Sequence, residues 1–269
     1  MDSDPLVLLQ TQPRVFWALD QAVLEAAFAT HHKELARYCI GSLEHMTMLH
    51  QRRIFAIDIV SCRLLYCYGI DTDPAYTGRP QTASERMMER LTRWRTGDIT
   101  HCELGFCIVA RDTGAQLYHR FCVSVPRGVT CTVYRSFDEF GRHRDRFRCR
   151  LLDACGPTLL RMYLFCMLQD GKKFDKLGFW LGHAPLLHRL LPQTTLDNPC
   201  WTCSEFVCTA LQLSKEDYRR ELDAKRCAPN DIVRCVLRYD NQLIPSSFVD
   251  PPAAGGGGDQ MPLLGDLEL

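Results

Sequence analysis

The sequence predicts an α+β fold in which an antiparallel sheet packs against a late helix, with a helical segment ahead of both. Three observations carry this. Residues 14–50 contain no Pro and a single Gly, and their apolar residues recur at helical spacing. Residues 98–135 are rich in β-branched and aromatic residues and are divided by turn sequences. From Gly156 onward helical patterns return, punctuated by Pro and Gly. The domain organisation expected is a helical extension at 1–53, a main domain at 54–243 and a Gly/Pro-rich tail at 244–269.

In chain order, Phe16, Leu19, Val23, Ala26 and Ala27 mark one helical face, and the helix breaks at Gly41-Ser42, where Ser42 caps a second helix. Residues 54–60 and 62–68 read as two strands, and 71–80 as a loop. Ser84 caps a helix to Arg95. A strand over 98–110 and its partner over 116–125 are joined by Asp112-Thr113-Gly114, with Gly supplying positive φ. Pro126-Arg127-Gly128 turns into a strand over 129–135, and 147–152 forms another. Gly156-Pro157 opens a helix through Gln169, ended by Gly171. After a loop over 192–199, helices are expected over 203–213, from Ser214 to Ala224, and from Pro229 to Arg238. The tail, with Pro251-Pro252 and Gly255 to Gly258, is expected to be disordered.

Composition narrows the function. Lys+Arg and Asp+Glu both number 32, so there is no basic excess of the kind that marks a nucleic-acid binder. The local exception is 142–150, where Arg142, Arg144, Arg146, Arg148 and Arg150 alternate and offer contact to an anionic surface. The 15 cysteines are odd in number and scattered through apolar runs, which points to a reducing compartment, cytoplasm or nucleus, or to packaging from there into a virion. No run approaches the roughly 18 apolar residues of a transmembrane helix, so no transmembrane segment is expected.

Two segments carry chemistry. In Pro199-Cys200-Trp201-Thr202-Cys203-Ser204-Glu205-Phe206-Val207 a turn runs into a helix. Phe206, Val207, Ala210 and Leu211 would pin that helix to the core and leave Cys203 at its N-terminus. Backbone N–H groups and the helix dipole there favour a thiolate. The second segment is the strand containing His101-Cys102-Glu103-Leu104-Gly105. His101, Glu103 and Gly105 share one face, and an imidazole on a rigid strand suits a general base.

With His first and Cys later, the sequence resembles the circularly permuted papain-like superfamily, which includes NlpC-type cysteine hydrolases and the lecithin–retinol acyltransferase family. The matching residues are His101-Cys102-Glu103-Leu104-Gly105 and Cys203-Ser204-Glu205-Phe206-Val207. Gly171-Lys172-Lys173-Phe174-Asp175 and Ala228-Pro229-Asn230-Asp231-Ile232 are similar to segments flanking the nucleophile helix in that superfamily. The resemblance implies a circularly permuted papain-like fold, Cys203 as nucleophile, His101 as base, and a third residue orienting the imidazole from the following strand. His119 is the candidate there, with Glu103 as competitor on the His101 strand.

The expected function is a thiol-dependent hydrolase of an amide, isopeptide or ester bond, acting on a peptide, isopeptide or lipid acyl substrate. A lipid acyltransferase or phospholipase using the same residues, and an inactive papain-like binding or assembly module, are the alternatives. No cofactor or metal is expected. Two patterns compete: Cys200-x-x-Cys203, as a dithiol redox site or a silencing disulfide, and His119-x-x-Cys122 with Cys200 and Cys203, as a zinc site.

Overall fold

The computed structural model describes residues 4–52, 57–67, 80–111, 113–124, 128–134, 148–181, 196 and 198–240. Residues 142–147 of the arginine run, the 71–79 part of the first predicted loop, most of 192–199 and the whole tail over 244–269 lie outside them.

The fold is mixed α+β. Four helices lead: α1 (Pro5–Thr11), α2 (Pro13–Trp17), α3 (Gln21–Gly41) and α4 (Leu43–Gln51). The predicted break at Gly41-Ser42 is present, and the Ser42 hydroxyl accepts from the His45 N–H at 3.3 Å. An additional break comes after Trp17, where Asp20 caps α3 through the Ala22 N–H. Polar N-cap side chains compete for backbone donors and so punctuate an otherwise continuous helical pattern.

The sheet has the order β4-β3-β2-β1-β5, with every neighbouring pair antiparallel. Its strands are β1 (Ile57–Cys67), β2 (His101–Ala110), β3 (Gln116–Ser124), β4 (Gly128–Tyr134) and β5 (Arg148–Leu151). The two strands predicted over 54–68 are one strand, β1, whose register against β2 shifts between Ile59 and Ser61. That irregularity resets the alternation of side chains, which is why the sequence divides there. Helix α5 (Ala83–Thr96) connects β1 to β2. The predicted β2–β3 hairpin is present, with Gly114 at φ 67°.

Helix α6 (Gly156–Leu168) is central. Leu159, Leu160, Met162, Tyr163, Leu164, Phe165, Cys166 and Leu168 are all buried, the pattern of a helix packed on most sides. It packs against α3, α4 and β1. One buried cluster therefore runs from Leu9 in the leading helices, through the sheet, to Val236, and the core does not stop at residue 53. A parallel pair, β6 (Lys173–Phe174) with β7 (Cys200–Trp201), precedes α8 (Cys203–Gln212). Between them lies α7 (Lys176–Leu181). The chain closes with α9 (Glu216–Glu221) and α10 (Pro229–Tyr239). Ser214 is not the cap of α9: its hydroxyl donates back to the Leu211 carbonyl at 2.6 Å, and Lys215 takes the N-cap position. Among the described residues no helix is long and apolar enough to cross a membrane.

The turn into β2 is fixed from outside. Gly97 has φ 78°, and a Cβ placed there would stand 2.5 Å from Asn230 Nδ2 at the start of α10. Gly114 is also at positive φ but has open space around it. Left-handed backbone costs an L-residue about 1–2 kcal/mol. Gly114→Ala should therefore lose about that much in urea unfolding, and Gly97→Ala measurably more, because Asn230 must also move. Equal losses would show that the contact with α10 carries no energy.

Candidate active site

Helix α8 begins inside the core. Its nine residues from Cys203 to Leu211 are buried, so its polar first turn must find partners within the protein. Thr202 is the N-cap and accepts from the Glu205 N–H at 3.2 Å. The Glu205 carboxylate receives Asn198 Nδ2 at 2.9 Å and Lys225 Nζ at 2.6 Å. Trp201 donates its indole N–H to Gln169 at 3.0 Å, and Thr209 donates to the Glu205 carbonyl at 2.8 Å. These bonds leave the first turn one position, and Cys203 is its first helical residue.

Helix α8 docks on β2 and β3, and the Cys203 sulfur meets the first two residues of β2. The Cys102 thiol and the His101 imidazole are the neighbours that set its ionisation. The Cys102 bond and then the His101 charge and hydrogen bond hold the Cys203 thiol well below the usual cysteine range, although burial opposes them. Burial pushes the His101 imidazole down, but Cys203 and then Glu103 outweigh it, and the group is held well above its usual value. At most other enclosed thiols burial prevails, even beside Arg63 at Cys62 and Cys149. Cys39, Cys62 and Cys149 are pushed up, and Cys235 reaches about 12. Cys203 is equally enclosed, so the donors around its sulfur decide the direction.

His101 is held in turn. Its Nε2 lies 2.8 Å from Glu103 Oε1, leaving Nδ1 as the ring nitrogen available to the thiol. The other carboxylate oxygen of Glu103 pairs with Arg120 Nε at 2.9 Å. Residues two apart on a strand share a face, and Arg120 lies opposite Gly105 in the β2–β3 register, so all three groups stand on one side of the sheet.

His119 stands elsewhere. It is paired with Phe106, five residues along β2 from His101, or about 17 Å by strand geometry. It shares the Phe106 face, opposite to that of His101 and Glu103. Its Nδ1 is bound to the Tyr163 hydroxyl at 2.7 Å, and burial pushes its imidazole down. The structure thus brings Cys203, His101 and Glu103 together and leaves His119, half-buried, on the other face of the sheet. Cys102, Arg120, Asn198 and Lys225 join the arrangement without having been singled out.

The two competing patterns separate. Cys200 lies beside Asp175, and burial together with Asp175 and Glu205 pushes its thiol up, whereas Cys203 faces Cys102 and His101. Cys122 and His119 occupy opposite faces of β3, and among the described residues no group of three or more His, Cys, Asp or Glu is placed to hold a metal ion. Of the arginine run, Arg148 and Arg150 lie on β5, opposite Tyr66 and Leu64.

No family model, curated protein or solved structure matches the chain.

The paired shifts of Cys203 and His101 define a pH test. Below the ordinary thiol range, near about 8.5, Cys203 remains a thiolate and should alkylate with iodoacetamide. Its rate should fall only as pH drops through the depressed value. The exposed Cys155, lowered by a hydrogen bond from Thr158, is the expected competitor, so labelling is read by peptide mapping. In His101→Ala the onset of Cys203 labelling should move up by about one pH unit or more. An unmoved onset would show that the imidazole does not hold the thiolate.

Proposed function

We propose that the chain is a thiol-dependent hydrolase of circularly permuted papain-like architecture, cleaving an amide, isopeptide or ester bond through an acyl-enzyme on Cys203. The observation that carries this is the mutual effect of Cys203 and His101 on each other's ionisation at a buried helix start, with the His101 ring bound to Glu103 at 2.8 Å. The permuted assignment is supported by chain order, in which the strand bearing His101 precedes the helix bearing Cys203, and by the packing of that helix on the antiparallel sheet.

In this mechanism the Cys203 thiolate attacks the acyl carbon, and the carbonyl oxygen takes the negative charge. The Glu205 N–H of the first turn of α8 is taken by Thr202, and the Cys203 and Ser204 amides, which have no intrahelical acceptor, face that oxygen. On collapse the C–N or C–O bond breaks, and the His101 imidazolium gives its proton to the departing amine or alcohol. Water then enters, His101 takes its proton, and the thioester C–S bond breaks to release the acid and the thiolate. Glu103 keeps the ring oriented throughout, and Arg120 fixes Glu103.

The test needs no knowledge of the natural substrate. p-Nitrophenyl acetate should give a burst of nitrophenolate and an acetyl group mapped to Cys203. Cys203→Ala should abolish the burst, and His101→Ala should slow acylation by about 10²- to 10⁴-fold. Glu103→Gln should slow it by on the order of 10- to 10²-fold while leaving the protein folded, and Arg120→Gln should have a smaller effect in the same direction. His119→Ala should lose about 1 kcal/mol of stability with its Tyr163 bond and acylate normally. Acetylation spread evenly over the cysteines would instead favour a papain-like module used for binding.

A further inference from the structure

We propose that the outward face of α5 is a docking surface for an anionic lipid bilayer, seated by Trp94 and Met87 and held by Arg86, Arg90 and Arg93. It uses none of the groups assigned to acyl chemistry, so it stands or falls on different data.

The helix is oriented the wrong way round for one that meets only water. Among its described residues the buried ones are Thr92 and Thr96, whereas Trp94 is 82% exposed and Met87 58%. Ala83, Met87, Arg90 and Trp94 follow one another at intervals of four, three and four residues, so they share one face of the helix. Arg86 and Arg93, seven residues apart and both exposed, line the edge of that face. A single exposed apolar residue on a protein surface needs no explanation. A nearly naked indole with a methionine two turns before it, on a helix that turns threonines inward, has an apolar side with no partner in the chain.

The same face carries positive charge without matching acids. Helix α5 holds four arginines against two glutamates. Glu89 is already engaged, by Arg93 at 2.8 Å and by Gln81 Nε2 at 2.9 Å. Arg86 donates to the Gln81 carbonyl at 2.8 Å, a bond that leaves its charge unmatched. Arg90 is exposed and makes no ion pair among the described residues.

Size and chemistry choose a bilayer over a protein partner. A helix of 14 residues is about 21 Å long, so one face of it offers on the order of 200 Å², against about 800 Å² per partner in a stable protein complex. A bilayer surface requires no matched area of that kind. An indole has an apolar body and a polar N–H, and it settles at the level of the lipid headgroups. Arginines beside it then meet the anionic headgroups, with the helix lying in the plane of the surface.

The experiment uses the full chain and extruded vesicles of phosphatidylcholine, alone or with phosphatidylserine at about a third of the lipid. Co-sedimentation and tryptophan emission are read at about 0.05 M and about 0.5 M NaCl. The expected result is sedimentation with the phosphatidylserine vesicles at the lower salt, lost at the higher, together with a blue shift of the emission. Trp17 and Trp201 are buried, and the shift should disappear in Trp94→Ser. Arg90→Gln should weaken binding about fivefold, and adding Arg86→Gln should weaken it further by a similar factor. All three positions are exposed and lie outside the Cys203–His101–Glu103 arrangement, so the variants should keep their circular dichroism and the p-nitrophenyl acetate burst. Equal sedimentation with the two kinds of vesicle, or undiminished binding in Trp94→Ser and Arg90→Gln, would overturn the proposal. Binding to heparin without sedimentation on vesicles would also overturn it, by assigning the arginines to a soluble polyanion. Vesicle binding in a chain that gives no acetylation burst would reject the hydrolase reading alone, and a burst without vesicle binding would reject the docking surface alone.

Discussion

The arrangement depends on one constraint: α8 starts inside the protein, so a turn carrying Thr202, Cys203, Ser204 and Glu205 has to be satisfied without bulk water. An isolated buried carboxylate costs several kcal/mol, and an unmatched backbone donor about 1–3 kcal/mol. The protein meets this with distant groups. Asn198 and Lys225 reach Glu205 from either side of the helix in sequence, and Gln169 at the end of α6 receives Trp201. Those bonds tie α6, the approach to α8 and the segment before α10 to one turn. Moving the turn would break several of them at once, which is how a thiol at its start acquires a fixed position.

The second feature follows from where that turn meets the sheet. Along the middle of a strand a neighbouring element touches only one face, because successive side chains point opposite ways. At the end of a strand an element can reach both. Cys203 sits against the first residues of β2 and contacts Cys102, which faces the core, and His101, which faces the other way. The sulfur is thereby given an apolar enclosure on one side and a charged relay on the other. Enclosure alone raises a thiol, as it does at Cys39, and Cys102 together with the His101 charge reverses the sign.

Much of this was legible in the sequence. The caps at Ser42, the turn at Gly114, the opening of α6 at Gly156-Pro157 and the start of α8 at Cys203 are local chemistry, and the chain writes local chemistry plainly. Both members of the Cys203–His101 contact were also visible, one from helix-start chemistry and the other from strand alternation. Other features were hidden for identifiable reasons. The continuity of β1 across residue 60 depends on an irregular register, which breaks the alternation that a sequence reading relies on. The partnership of Lys225 with Glu205 and of Arg120 with Glu103 joins residues from different elements, and nothing local to either one announces it. Cys102 was read as an apolar core residue, which it is, and its second role arises only because a helix ends on it.

Strand parity also explains why Glu103, and not His119, adjoins the base. A residue on the neighbouring strand can orient His101 only if it shares the His101 face and lies level with the start of β2. The β2–β3 register puts His119 level with Phe106, on the core face, where Tyr163 binds it. On the correct face of β3 it is Arg120 that reaches Glu103, and a guanidinium carries five donors and no acceptor, so it cannot receive a ring N–H. An acceptor is needed between the two cations, imidazolium and guanidinium. Glu103, two residues from His101 on the same strand, is placed between them with one oxygen for each.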